Sequence, residues 1–161
     1  MTPERQYLNE VMLPLFKEML LPDEVVFDIG KSETWDYKKV IPSIITVDRD
    51  RAKKPDILMD VEKDLEGKFI CKSLICNGVT EQCDNPFTLI EGVIRILNNH
   101  GLALFGINLL GYPYLPNTND NFRFTPDGAI KAVSKYFDIL IKEILYRDTI
   151  ASYIYIIGRK K

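Results

Sequence analysis

The feature that most constrains this chain is a series of short apolar runs, each stopping on a polar residue. Val25-Val26-Phe27-Asp28-Ile29-Gly30 is the first, and Ile44-Ile45-Thr46-Val47-Asp48, Ile57-Leu58-Met59-Asp60 and Ser73-Leu74-Ile75-Cys76-Asn77 repeat the design. Leu102-Ala103-Leu104-Phe105-Gly106-Ile107 is a fifth run. Continuous rather than alternating apolar residues suit strands covered on both faces, as in a parallel sheet wrapped by helices. Between the runs, residues 86–98 carry a helical stripe of Leu89, Ile90, Val93, Ile94 and Leu97, entered through Asn85-Pro86 and closed by Asn98-Asn99-His100-Gly101. Pro126 begins another helix reaching about Lys135. Residues 137–145 and 149–157 are β-branched and aromatic and join near Arg147-Asp148 as a hairpin does, so the sheet is expected to end in an antiparallel strand. Ahead of the first run, residues 1–22 form a helical flank or lid that Pro14 is expected to bend or divide.

With 161 residues, 46% of them hydrophobic, there is enough apolar side chain for one cored domain, 1–161. Lys plus Arg number 21 and Asp plus Glu 23, a formal charge of −2 that gives no basic excess to hold a phosphate backbone, so no nucleic-acid partner is expected. No stretch approaches the ~18 uninterrupted apolar residues of a membrane-spanning helix. The expectation is a soluble, cytoplasmic protein with no membrane partner, and its oligomeric state is not readable. Cys71, Cys76 and Cys83 cannot all pair within the chain, and with the single His100 they do not resemble a zinc set; buried reduced thiols are expected, with Cys83 in a turn where it could be exposed. His100, between a helix end and a strand start, suits a helix-capping role. The ending Gly158-Arg159-Lys160-Lys161 reads as a solvated tail.

In an open α/β sheet, ligands bind beyond the carboxyl ends of the strands, where the strand order reverses. The residues ending the runs therefore matter most: Asp28-Ile29-Gly30, Asp48, Asp60 and Asn77-Gly78. A carboxylate about 20 residues past the first glycine turn can accept hydrogen bonds from both hydroxyls of a ribose, and Asp48 stands close to that distance beyond Gly30, although an acid at a strand end can equally be a turn or helix cap. A dinucleotide would bring its pyrophosphate against Asp28 and would lack a full glycine loop, whereas S-adenosylmethionine (SAM) brings a sulfonium and an ammonium group, so the charge of Asp28 favours SAM over NAD.

These residues resemble the class I SAM-dependent methyltransferases, particularly the small type with an Asp-Ile-Gly turn, a Pro-Asp-Ile third strand and an Arg-Phe-Thr segment, over roughly residues 25–159. The resemblance implies an α/β, Rossmann-like doubly wound, mostly parallel sheet of about seven strands with an antiparallel C-terminal strand. It places Asp28, Ile29 and Gly30 beside the methionyl part of the cofactor, Asp48 at the ribose, and Asp60 and Val61 beside the adenine. Asn77-Gly78-Val79 resembles the fourth-strand motif, and Thr80-Glu81-Gln82 lies where relatives carry Leu-Glu-His. Two departures stand out: Gly30-Lys31-Ser32-Glu33-Thr34 keeps only the first glycine of a Gly-x-Gly-x-Gly turn, with Trp35 or Tyr37 able to cover the pocket, and Gln82 cannot act as the base that a His there would supply.

The long segment after the fifth strand carries Tyr112, Tyr114, Phe122, Arg123 and Phe124. Gln82, Tyr112 and Arg123 are its and the neighbouring turn's candidate acceptor-binding residues; Arg123 suits either a carboxylate or phosphate of the acceptor or an ion pair that ties the loop. No general base is evident, Glu81 being the nearby carboxylate at the turn. The expected function is methyl transfer from SAM to a small-molecule or sugar-like acceptor, and the alternative is a methyltransferase-fold binding or assembly module that has lost catalysis. A dehydrogenase stands third.

Overall fold

The computed structural model of the chain describes residues 1–32, 36–63, 69–114 and 120–161. The five apolar runs become β1 (Val26–Ile29), β2 (Ile44–Asp48), β3 (Ile57–Leu58), β4 (Cys71–Asn77) and β5 (Leu97–Asn108), followed by the hairpin β6 (Phe137–Arg147) and β7 (Ile150–Lys160). Among the described residues they make one seven-stranded sheet in the order β3-β2-β1-β4-β5-β7-β6. Of these strands, β1 to β5 pair in parallel and β7 runs antiparallel to both of its neighbours. The order reverses between β1 and β4, which opens a crevice at the carboxyl ends of those strands.

Helices α1 (Pro3–Tyr7), α2 (Leu13–Glu18), α3 (Pro86–Ile96) and α4 (Pro126–Ser134) cover the faces. α3 starts where Asn85 Oδ1 accepts from the amides of Phe87 and Thr88 and Pro86 has no N–H to satisfy; Leu89, Ile90, Val93 and Ile96 are its buried stripe. It packs with α4 on one face, in a core that includes Phe105, Ile107, Ile154 and Ile156. The opposite face is covered by Leu8, Met12, Leu13 and Phe16 of the N-terminal helices, joined by Tyr37 and Ile41. Among the described residues the β1-to-β2 and β2-to-β3 connections carry only the 3-10 turns Tyr37–Lys39 and Arg51–Lys53, and the N-terminal helices provide the structural cover on that face of the sheet.

Several local expectations are corrected. Pro14 does not divide the flank: α1 runs into α2 through a π-helical segment, Leu8–Met12, whose wider turn lets the Leu13 amide reach Leu8 O just before the proline that has no donor. The helix expected over 86–98 ends at Ile96, and β5 begins at once, because Leu97 pairs with Cys71 before residues 98–101 bulge out and pairing resumes at Ser73 with Leu102. His100 sits on that bulge in the left-handed region (φ 61°), exposed. The capping expected of it is done by Lys160 Nζ, which donates to Ile94 O (2.8 Å) and Leu97 O (2.6 Å). Gly158, Arg159 and Lys160 are therefore not a solvated tail but the last residues of β7, with Gly158 paired to Ala103 and Arg159 donating to His100 O. All three cysteines are buried, Cys83 included, its Sγ donating to Thr80 O at 2.9 Å. Burial pushes the thiols of Cys71 and Cys83 up to about 12. Among the described residues no helix is long and apolar enough to cross a membrane.

Candidate functional site

A cavity of about 830 Å³ occupies the carboxyl ends of β1, β2, β4 and β5. Its walls bring together Ile29, Gly30, Asp48, Asp60, Val61, Asn77, Gly78, Gln82 and Tyr112, nine of the eleven residues singled out from the sequence. Asp28 and Arg123 do not line it. Trp35, expected as a possible cover, lies outside the described residues with Glu33 and Thr34.

At the β1 end, Gly30 takes φ +81°, and a Cβ there would lie 2.5 Å from Val79 Cγ2, so the turn needs glycine for both conformation and room. Lys31 lines the cavity and its Nζ donates to Lys54 O (2.7 Å). Asp28 is 3% exposed, and burial first, then the nearby Asp48, raise its carboxyl to about 8. At neutral pH it is mostly protonated, which corrects the charge argument made from sequence: burial works against an anionic Asp28 at this corner. Asp48 accepts from the Asp50 amide (2.8 Å) and pairs with Lys53 (3.1 Å), both on the turn that follows it. These bonds hold its carboxylate rigidly at the end of β2, and two lone-pair positions remain for other donors.

Around Asp60 the turn is held by the Glu62 amide donating to its Oδ1 (3.1 Å) and by ion pairs with Lys63 (3.6 Å) and Arg49 (3.9 Å). Glu62 was not foreseen. Buried, it accepts from the amides of Asp84 and Asn85 and from Arg49 Nη1 (3.2 Å), clamping the Asp60-Val61 turn to the start of α3. Arg49 also donates to Gln82 O (3.1 Å), so one guanidinium ties the β2, β3 and β4 ends.

The other half of the cavity is built on β4, β5 and β7. Because β7 is antiparallel, its early residues arrive at the carboxyl end of β5, where Tyr153 pairs with Asn108 and Tyr155 with Gly106. Gly106 has no side chain, and a Cβ there would meet Asn77 Oδ1 at 1.9 Å; that space lets the Asn77 amide lie across the sheet. Asn77 Oδ1 accepts from Tyr153 OH (2.9 Å) and its Nδ2 donates to Tyr37 OH (3.0 Å). Rings of Tyr112, Tyr153 and Tyr155 follow one another at 5.7 and 4.8 Å. Glu81, 2% exposed, accepts from Asn108 Nδ2 (2.7 Å), and burial raises its carboxyl to about 7. Gln82 spends its side-chain amide on Gly78 O (3.1 Å).

From the N-terminal flank, Thr2, Glu4, Arg5 and Leu8 close this half. Glu4 is held by both Arg147 Nε (2.7 Å) and Nη2 (2.8 Å), and its backbone carbonyl accepts from Tyr155 OH (2.8 Å). Arg123 forms its ion pair with Asp120 and donates to Phe122 O, so of its two expected roles the loop tie is the one made; its guanidinium stands 5.9 Å from the Tyr112 ring. The loop is also drawn to the β4 turn by the Asn121 amide donating to Glu81 O (2.6 Å). Asn108, Tyr153 and Tyr155 were missed from sequence. Asn108 was within reach, since it ends the fifth apolar run as Asn77 ends the fourth.

No protein family model matches the chain, and no curated protein matches it in sequence. Solved structures match it in fold. The N-methyltransferase NodS of Bradyrhizobium japonicum in complex with S-adenosylhomocysteine superposes with a TM-score of 0.71 over 99% of this chain and 88% of its own, at 11% identity. A SAM-dependent methyltransferase of Methanosarcina mazei gives 0.69 over 91% and 97%, at 12% identity. The 1,6-didemethyltoxoflavin-N1-methyltransferase of Burkholderia thailandensis, with 1,6-didemethyltoxoflavin and S-adenosylhomocysteine bound, gives 0.63 over 96% and 80%, at 14% identity. The chain therefore has the Rossmann-like fold of class I SAM-dependent methyltransferases.

Proposed function

We propose that the protein is a SAM-dependent methyltransferase acting on a small-molecule acceptor. The observation that carries this reading is the cavity at the β1/β4 reversal, which gathers Gly30, Asp48, Asp60-Val61 and Asn77-Gly78 in one space. Its 830 Å³ lies within the range of about 300–1,000 Å³ that small-molecule and cofactor sites occupy. The donor set fits the cofactor: Asp48, fixed by Lys53 and the Asp50 amide, is the group for ribose hydroxyls, Asp60 and the Val61 backbone serve the adenine, and Gly30 with Asn77-Gly78 borders the methionyl end. When bound, SAM supplies a methyl group already activated on a sulfonium. The chain's own task is to hold an acceptor atom in line at about 3–3.5 Å and to keep water out, which the N-terminal flank and the tyrosine wall are placed to do.

Calorimetric titration with SAM and S-adenosylhomocysteine tests the reading, repeated on Asp48→Ala. Micromolar binding that weakens at least tenfold in the variant supports it. An absence of heat at millimolar ligand favours the second reading, a methyltransferase-fold binding or assembly module. The observation on that side is specific: Lys31 bridges to Lys54 O and Lys53 pairs with Asp48, so both lysines that line the cavity beside the cofactor's expected place are already engaged by the protein.

A further inference from the structure

We infer that Glu81 anchors the acceptor and takes its proton, and that the acceptor is an amine carried on a flat or aromatic body. The inference rests on the methyl-transfer reading of the same cavity and goes on to name the acceptor class.

The polar groups of the acceptor half are nearly all committed to the protein. Tyr153 OH donates to Asn77, Asn77 to Tyr37, Tyr155 OH to Glu4 O, and Asn108 to Glu81. Burial raises the hydroxyls of Tyr37, Tyr153 and Tyr155, so none of them serves as a base near neutrality. Glu81 differs. Among the described residues its carboxyl accepts from Asn108 Nδ2 (2.7 Å), Thr80 Oγ1 (3.3 Å) and its own backbone amide, all uncharged donors, whereas an ionised carboxylate offers about four acceptor positions. It lines the cavity while 2% exposed, so its remaining acceptor position faces the space a ligand would occupy.

The surrounding charges select the kind of donor. Arg123, on the loop after β5, is paired with Asp120, and Arg147 of β6 is paired with Glu4. Arg5 enters from α1 on the side of Tyr37, Tyr112 and Tyr155. From β4, β5 and β7 the groups facing Glu81 are Cys76, Asn108 and Tyr153, with Cys83 on its own turn; from the loop after β5 Glu81 faces Tyr112 and, with opposing effects, the Arg123 cation and the Asp120 carboxylate. A buried carboxylate with neutral donors disfavours an anionic acceptor and favours a cationic or proton-donating one. The ring faces of Tyr112, Tyr153 and Tyr155 add a surface that attracts cations and stacks on flat groups. Glu81, raised by burial to about 7, is also matched to take a proton near neutral pH.

The step balances simply. The ammonium gives one proton to Glu81. The freed nitrogen lone pair forms the new N–C bond as the methyl carbon's bond to sulfur breaks, its electron pair staying on sulfur, and the methylated nitrogen carries the positive charge the sulfonium lost.

The test uses the full chain saturated with S-adenosylhomocysteine and titrated with benzylamine and with benzyl alcohol, which share a ring and differ in the group offered, on wild type and Glu81→Gln. The expected result is benzylamine binding at least tenfold tighter than the alcohol in the wild type, with that preference abolished in Glu81→Gln while S-adenosylhomocysteine affinity stays within twofold, which also shows that the variant folds. Equal affinity for the two probes, binding of neither, or a preference that survives Glu81→Gln overturns the inference. Failure of S-adenosylhomocysteine itself to bind is failure of the methyl-transfer reading, and the same pair titrated into ligand-free protein then still decides whether Glu81 selects the amine. With a methylatable amine, Glu81→Gln is expected to lower kcat by about 10²–10⁴-fold.

Discussion

Asp28 is the residue whose chemistry changes most between chain and fold. Its carboxyl rises from an ordinary 3.8 to about 8, first through burial and then through Asp48, so between those values the folded protein holds a proton that the unfolded chain has released. The contribution of this group to stability is therefore greatest below about pH 4 and declines as pH rises to about 8. Asp28→Asn should raise the melting temperature at pH 8, change it little at pH 4, and flatten the slope between; a series of thermal melts across that range checks it, and an unchanged slope would contradict the assignment. Gly106 makes the opposite case. A Cβ at 1.9 Å from Asn77 Oδ1 forces the Asn77 amide off Tyr153, so Gly106→Ala should destabilise by about 1–3 kcal/mol in urea titration. At this scale the sequence located the slot but not its electrostatics: Asp28 reads as an anion in a list of residues and becomes mostly neutral only once the strands on either side remove its water.

Among the elements, the latch between the N-terminal flank and the terminal hairpin is the most exposed to test. Burial works against the charge of Glu4, yet the bonds and charge of Arg147, together with the Glu4 backbone amide and Thr2, outweigh it and hold the carboxyl below its usual range. That stability is present above the ordinary pKa and is lost as pH falls through the lowered one. Arg147→Ala should cost about 2 kcal/mol, less than a fully buried pair because Arg147 is a third exposed, and should speed hydrogen exchange over residues 3–18 more than in α3. Strands β1, β2, β4 and β5 and the start of α3 were legible because apolar runs and an Asn-Pro cap are local signals. The bulge at 98–101, the capping Lys160 and the π-helical passage before Pro14 were not, since each is decided by a partner far along the chain or by hydrogen bonds that sequence periodicity does not encode.

At the scale of the whole molecule, the methyl-transfer reading predicts that ligand binding tightens the entire fold, because the cavity is walled by β1, β2, β4, β5 and β7 together. S-adenosylhomocysteine at about one hundred times its dissociation constant should add about 2.7 kcal/mol, which raises the melting midpoint by about 5–10 °C for a chain of this size. NAD at the same concentration should not shift it, and scanning calorimetry of both mixtures distinguishes the outcomes. The reversed direction of β7 has one more effect. Its early tyrosines stand beside the β5 end, and Tyr155 reaches back to Glu4 O, so one compartment is walled by the first helix and the last strand of the fold. As the chain is made, the nucleoside half draws on residues up to Asn85, where Glu62 is clamped to the start of α3, while the acceptor half stays without its tyrosine wall until β7 is synthesised. A chain cut before that strand would lack the surface that chooses what the cofactor is brought to react with.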